Sequence, residues 1–320
     1  MNLNFIIWPL LLSGSISACL MPAVIKYFQR KQLGQITREE GPSWHGVKSG
    51  TPTMGGVSIV IAVTVSSIIF SFFVPERASL TWLLVFIFIL FSAIGFIDDY
   101  IKVIMKRNLG LTSLQKLLAQ IVGAIVFYIG VSRIIDIQTI QLPFSIQIDI
   151  GIFYLIFVMF WLVGFSNATN LTDGIDGLLA TTGFVAYAAY TVIAVWQNQY
   201  EVALFTSSIM GALLGFFIFN KKPAKIFMGD VGSLTLGAGL AGVSIILNQE
   251  WTLLLIGIIF VFETASVIIQ VTSFKLTGKR IFKMSPIHHH FEMIGWGEWK
   301  IVIIFSAVSI ISASIALYII

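Results

Sequence analysis

Ten stretches of the chain are almost free of polar side chains: residues 3–25, 55–74, 78–97, 114–135, 150–169, 174–196, 201–219, 231–248, 252–273 and 300–319. Each is close to the roughly 20 apolar residues that a helix needs to cross the hydrocarbon of a bilayer. No polar stripe at helical period runs through them, and none alternates like a strand of a membrane barrel. The pattern predicts an all-α polytopic membrane protein of ten transmembrane helices with lipid on their outer faces. Segment 136–149, DIQTIQLPFSIQID, does alternate, around Pro143, and predicts a small β-hairpin on the membrane surface. The sequence holds no internal repeat or low-complexity tract, so residues 1–320 read as one integral membrane domain.

Composition agrees with the pattern. Of 320 residues, 57% are hydrophobic and only 11% charged, against about 25% charged in an ordinary soluble domain. The single cysteine, Cys19, excludes an intramolecular disulfide and a cysteine metal site. No basic residue precedes Lys26, so the first apolar run lacks the positive start of a cleaved signal peptide and reads as a retained span.

Charge orients the spans. Of the 19 lysines and arginines, only Arg77 and Arg133 fall on one side; the other seventeen lie at 26–48, 102–116, 221–225 and 275–300. The positive-inside rule makes that side cytoplasmic and puts both termini outside. Nine carboxylates share the basic side and five the other, with Glu263 alone inside span nine. Basic loops suit anionic lipid headgroups. The acids among them need a further reason.

Asp98 and Asp99 follow an apolar run directly, and two adjacent carboxylates at a membrane boundary need a cation or a proton to coexist. If the helix continues, Lys102 lies one turn on; the plain alternative is a charged anchor at a helix end. Asn167, Asn170, Asp173 and Asp176 recur every three residues across the junction of two spans, with Gly174 and Gly177 marking a break or a close backbone approach. An Asx-rich capped turn accounts for one or two of them, not four. In NKKPAKIFMGDVGS, 220–233, lysines can attract phosphate, Phe227 offers a flat apolar face, and Asp230 sits in a glycine-rich turn; a positive-inside loop explains the lysines but not Asp230. The end of this stretch does not match a P-loop. His288, His289 and His290 are consecutive and internal. Three successive residues rarely converge on one tetrahedral ion, so binding of pyrophosphate or sugar hydroxyls suits them better than zinc. Lys48 and Thr53, before span two, form a weaker candidate anion site. Lone carboxylates and amides favour a hard cation, hence Mg2+, and Mg2+ beside lysines is equipment for phosphoryl transfer.

DDYIK at 98–102, NATNLTDGIDGL at 167–178, FNKKPAKIFMGDVGS at 219–233 and SPIHHHFE at 285–292 closely resemble the polyprenyl-phosphate N-acetylhexosamine-1-phosphate transferases, in their muramoyl-pentapeptide branch. The likeness runs in order from about residue 30 to residue 300. It implies a bacterial plasma-membrane enzyme with a cytoplasmic cleft. Its substrates would be UDP-N-acetylmuramoyl-pentapeptide and undecaprenyl phosphate, its products lipid I and UMP, and nucleic acid has no part. It further implies a Mg2+ requirement, a homodimer and a bent ninth span. By motif position, Asp98 would act on the lipid phosphate, Asp230 would hold the metal with Asp99 and Asp173 nearby, and Lys102 and Lys116 would hold phosphate charge. Lys48, Gly174, Ile175, Asp176 and Phe227 would form the uridine pocket, with Phe227 on the uracil. Thr53, Asn167, Asn170, Asn220 and the three histidines would line the cleft.

A lipid phosphate has a second pKa of about 6 and is largely ionised at pH 7, so Asp98 is expected to position more than to deprotonate, in a single direct displacement. A phospho-aspartyl intermediate is the rival route. A sister transferase moving another hexosamine phosphate shares the acidic motifs. A transporter fits less well, because transporter sites lie near the midplane and only Glu263 does. As a buried acid, Glu263 is expected to be neutral and hydrogen-bonded or paired with a lysine; the pattern assigns it no role.

Overall fold

The structure, a computed structural model, describes residues 3–30, 50–74, 78–103, 105, 110–143 and 146–320. The helices are α1 (Asn4–Arg30), α2 (Gly56–Ser71), α3 (Ala78–Val103), α4 (Ser113–Val131), α5 (Tyr154–Thr172), α6 (Leu178–Trp196), α7 (Tyr200–Asn220), α8 (Asp230–Ile246), α9 (Thr252–Ile256), α10 (Ile258–Thr277), α11 (Ile287–Met293) and α12 (Glu298–Ile319). Among the described residues, eight helices are long and apolar enough to cross a membrane, and all eight fall on expected spans. The runs expected as spans two and eight form α2 and α8, of 16 and 17 residues, or about 24–26 Å at helical rise. Span nine is broken at Gly257, which separates α9 from α10.

Apolar on all sides does not mean lipid on all sides. Every residue of α8 after Asp230 is buried, because α3 and α5 pack along it. A helix apolar all round is satisfied equally by lipid or by neighbouring helices, and α8 takes the second solution. It is the centre of the bundle, which explains how it can be shorter than a spanning helix and carry four glycines. On α4, by contrast, Leu114, Leu118, Val122 and Val126 are exposed, which leaves an apolar face free for lipid.

Alternation at 136–149 produces two short strands, β1 (Thr139–Gln141) and β2 (Gln147–Asp149), paired antiparallel with Ile140 opposite Ile148. This hairpin, the Gln141–Asn248 amide contact and a buried Tyr154–Glu250 hydrogen bond gather at one end of the bundle. The ends that hold Asp98, Lys116, Asn170, Asn220 and Asp230 meet at the other.

Candidate active site

The site begins with α3 running on past its apolar stretch. Because the helix continues to Val103, Lys102 comes round to Asp98 and its ammonium pairs with that carboxylate. Gly95, one turn before Asp98, lets the α3 backbone lie against the first turn of α8: a Cβ there would stand 2.2 Å from the Asp230 carbonyl oxygen. That contact brings the two acidic segments together across 132 residues, with the Val231 N–H donating to Asp99 Oδ2 at 3.1 Å. Asp98, Asp99 and Asp230 each offer a carboxylate oxygen within 4.8 Å of the others. Asp98 and Asp99 are 2% and 5% exposed.

Two cations and an amide answer this charge. Asp230 Oδ2 accepts from Lys116 at 2.8 Å and Lys102 at 3.3 Å, and Oδ1 accepts from Asn170 Nδ2 at 2.7 Å. Lys116 is placed by a capping box, in which Thr112 accepts from the Gln115 N–H while the Gln115 side chain accepts from the Thr112 N–H. The Leu111 N–H donates to Asp98 Oδ1 at 2.8 Å. Asp173 caps the C-terminal end of α5 beside the cluster but outside its tight trio. Burial, then the charges of Asp230 and Asp99, push its carboxyl well above the usual range, against the opposing pull of the Gly229 N–H.

The turn after Asp173 is stitched to the 220–230 loop. Asp176 Oδ2 accepts from the Ala224 N–H at 3.0 Å, and Asn220 accepts from the Gly177 N–H at 3.0 Å while donating to the Ile226 carbonyl. The loop is stitched in turn to the segment before α2: Phe227 N–H donates to Pro52 O, and the N–H groups of Gly55 and Gly56 donate to Phe227 O and Met228 O. Thr53 is thereby buried next to Gly229. Phe227 is half-buried between buried Ile226 and Met228.

Of the remaining expected residues, His288 touches the 173–177 turn, with its ring against Gly174, and the other described ones engage different partners. Asn167 donates to Gln120 Oε1 at 2.9 Å, one turn away from the acids. Ile175 is buried with Leu178, Ile259 and Ile301 in a small apolar cluster. The three histidines take three partners: His288 meets Glu263, His289 meets Glu292, and His290 Nδ1 accepts from the Lys283 N–H. They form no shared metal site. Lys48 lies outside the described residues. Glu263 meets a histidine, His288, rather than the lysine that was one of its expected partners.

Two contributors were not singled out from the sequence. Ser233 accepts from Asn170 at 2.8 Å, and Gln120 carries Asn167. Each lies one helical turn from a recognised residue, Ser233 three after Asp230 and Gln120 four after Lys116, and this spacing was the available signal. The trio offers hard oxygen donors with no sulfur or imidazole among them, which suits a divalent cation such as Mg2+. Two lysines at its edge can neutralise a phosphate.

A family model described as glycosyl transferase family 4 matches residues 80–248, and a phospho-N-acetylmuramoyl-pentapeptide-transferase signature matches residues 48–60. Curated proteins named phospho-N-acetylmuramoyl-pentapeptide-transferase are similar over nearly their whole length. The one from Enterococcus hirae is 56% identical over 311 residues, 97% of each chain. That from Enterococcus faecalis is 53% identical over 311 residues, again 97% of each. The Lactiplantibacillus plantarum protein is 52% identical over 322 residues, 98% of each.

Proposed function

The chain belongs to the phospho-N-acetylmuramoyl-pentapeptide-transferase family, and from that premise we propose that its acidic trio transfers phospho-N-acetylmuramoyl-pentapeptide from UDP to undecaprenyl phosphate in the bacterial membrane. The products are lipid I, a precursor of peptidoglycan, and UMP. The observation that carries the site assignment is the meeting of Asp98, Asp99 and Asp230, from two distant segments, within 4.8 Å.

A phosphate oxygen of the lipid forms a bond to the β-phosphorus of the nucleotide, and the bond from that phosphorus to the oxygen of UMP breaks. Both reactants are anionic, so the site must gather negative charge and neutralise it. Asp230 and Asp99, with Asp173 close by, would hold Mg2+. The ion supplies Lewis-acid neutralisation of the pyrophosphate when bound. Lys102 and Lys116 reach the same space and would share the phosphate charge that develops on UMP. Asp98, fixed by the Leu111 N–H and Lys102, would orient the lipid phosphate. Phe227, half-buried, would offer its ring to the uracil. Asp176 and Asn220 brace the loop that carries it, and Thr53 and Gly174 would line the same pocket; Lys48 is assigned to it by its sequence motif alone. Direct single displacement needs no further nucleophile. In this reading α2, α8 and the broken α9–α10 complete ten spans in a single domain, the site faces the cytoplasm, both termini lie outside, and the enzyme works as a homodimer.

The test is release of UMP by the purified chain in detergent, with undecaprenyl phosphate and either UDP-N-acetylmuramoyl-pentapeptide or UDP-N-acetylglucosamine. Mg2+-dependent UMP release from the first alone is expected. Turnover of the second instead would assign a sister transferase. A labelled phospho-enzyme formed without lipid, and competent to turn over, would overturn single displacement.

A further inference from the structure

Glu263 is an acid within an apolar helix, where a carboxylate without a partner is expensive. It is fully enclosed, and so is the side chain it meets: Glu263 Oε2 lies 3.0 Å from Nδ1 of His288. The backbone N–H of His288 points at the same oxygen from 3.5 Å. One oxygen therefore engages both the main chain and the ring of His288, which fixes the tilt of the imidazole. A ring whose Nδ1 side is held by a carboxylate presents Nε2 on its far edge.

That far edge has no hydrogen-bond partner and is pressed against Gly174. A Cβ on Gly174 would stand 2.1 Å from Nε2 and 2.6 Å from Cε1 of an enclosed ring that has nowhere to go. Gly174 is not one of the glycines with positive φ, whereas Gly177 is, at 82°. Any residue could adopt the backbone at 174; it is the imidazole that requires glycine there. The same turn carries Asp173 beside the acidic trio and Asp176 on the Ala224 N–H.

We propose that Glu263 and His288 are a positioning pair for the transfer reaction: Glu263 clamps the ring, and the ring seats the 173–177 turn so that Asp173 and Asp176 keep their places in the site. The inference rests on the transferase reading. Neither residue has to touch the reacting atoms, because a displacement of about 1 Å at a reacting centre costs roughly 100-fold.

The test is a double-mutant cycle on the full-length chain, read as kcat and KM for each substrate, with hydrogen exchange of the 173–177 amides measured in parallel. Gly174→Ala is expected to lower kcat/KM by about 100-fold. Gly174→Ala combined with His288→Ala should be no slower than His288→Ala alone, since the methyl fills space the ring has left. Glu263→Gln, which keeps an acceptor for Nδ1–H, should stay within about tenfold of the parent, a ratio worth about 1.4 kcal/mol. Glu263→Ala should match His288→Ala, raising KM for the nucleotide but not for undecaprenyl phosphate, and should speed exchange in the turn. Additive losses in the cycle, equal losses for Glu263→Gln and Glu263→Ala, or unchanged exchange would each overturn the proposal. If the alanine variants are not monodisperse, His288→Asn, which keeps an N–H donor and draws back from Gly174, takes their place. A parent chain that releases no UMP would sink the transferase reading, while the exchange measurements still decide the clamp.

Discussion

Gly95→Ala adds one methyl group, far smaller than any catalytic group, and is expected to cripple the site. The new Cβ would lie 2.2 Å from the carbonyl oxygen of Asp230, 2.4 Å from its carbonyl carbon and 2.6 Å from the Val231 nitrogen. These are backbone atoms, so no rotamer change relieves the clash. Ordinary contact begins at 3.4 Å, so α3 and α8 must part by about 1.2 Å at the point where their carboxylates meet. Asp98 and Asp99 follow Gly95 by one turn on α3 and move with it. A shift of that size is expected to lower kcat/KM by about 100-fold, and overpacking of this kind lowers stability by about 1–3 kcal/mol. The control is Gly164→Ala on α5, a mid-helix glycine whose Cβ meets nothing within 4 Å; it should keep full activity and gain about 0.5–1 kcal/mol from helix propensity. The assay is UMP release alongside Mn2+ affinity by calorimetry and thermal unfolding in detergent. Parent-like turnover and Mn2+ affinity in a folded Gly95→Ala chain would refute the argument that this approach assembles the trio.

Asp230→Asn should reduce turnover at least 1000-fold, on the order of 4 kcal/mol in the transition state. It should leave the fold intact, because Lys102 retains Asp98 and both lysines are partly exposed; UMP release and size-exclusion profiles check this. Glu250, enclosed with Tyr154, has its carboxyl raised to about 7 by burial. The folded chain therefore keeps a proton that the unfolded chain loses above pH 4.5, and stability falls as pH rises from there to about 7. Glu250→Gln should remove that fall, so the thermal midpoint of the variant should gain on the parent between pH 5 and pH 8; parallel curves would contradict it. Thr112→Ala removes the cap of α4 and should lower stability by about 1 kcal/mol, with a larger loss of turnover than of stability because Lys116 lies in the first turns of that helix; melting and UMP release measured together separate the two.

Much of this protein is legible in one dimension. Helix-length apolar runs set where the chain can span, since every backbone polar group must be satisfied within the bilayer. All eight long helices and the 136–149 hairpin fall where the pattern puts them. Asp98 with Lys102 was readable because both lie on one helix at fixed spacing. What the pattern could not contain was who meets whom between helices. An apolar surface has the same composition against lipid as against protein, so nothing in the α8 sequence alone separates the enclosed centre of the bundle from a lipid-facing span. The closeness of Asp230 to Asp98 and Asp99 depends on a missing Cβ at Gly95, and the partner of Glu263 is a ring 25 residues away. Local spacing determines which side chains share a helix face; only the packing of α3, α8, α10 and α11 decides which faces touch, because contact across helices is a property of shape rather than of order along the chain.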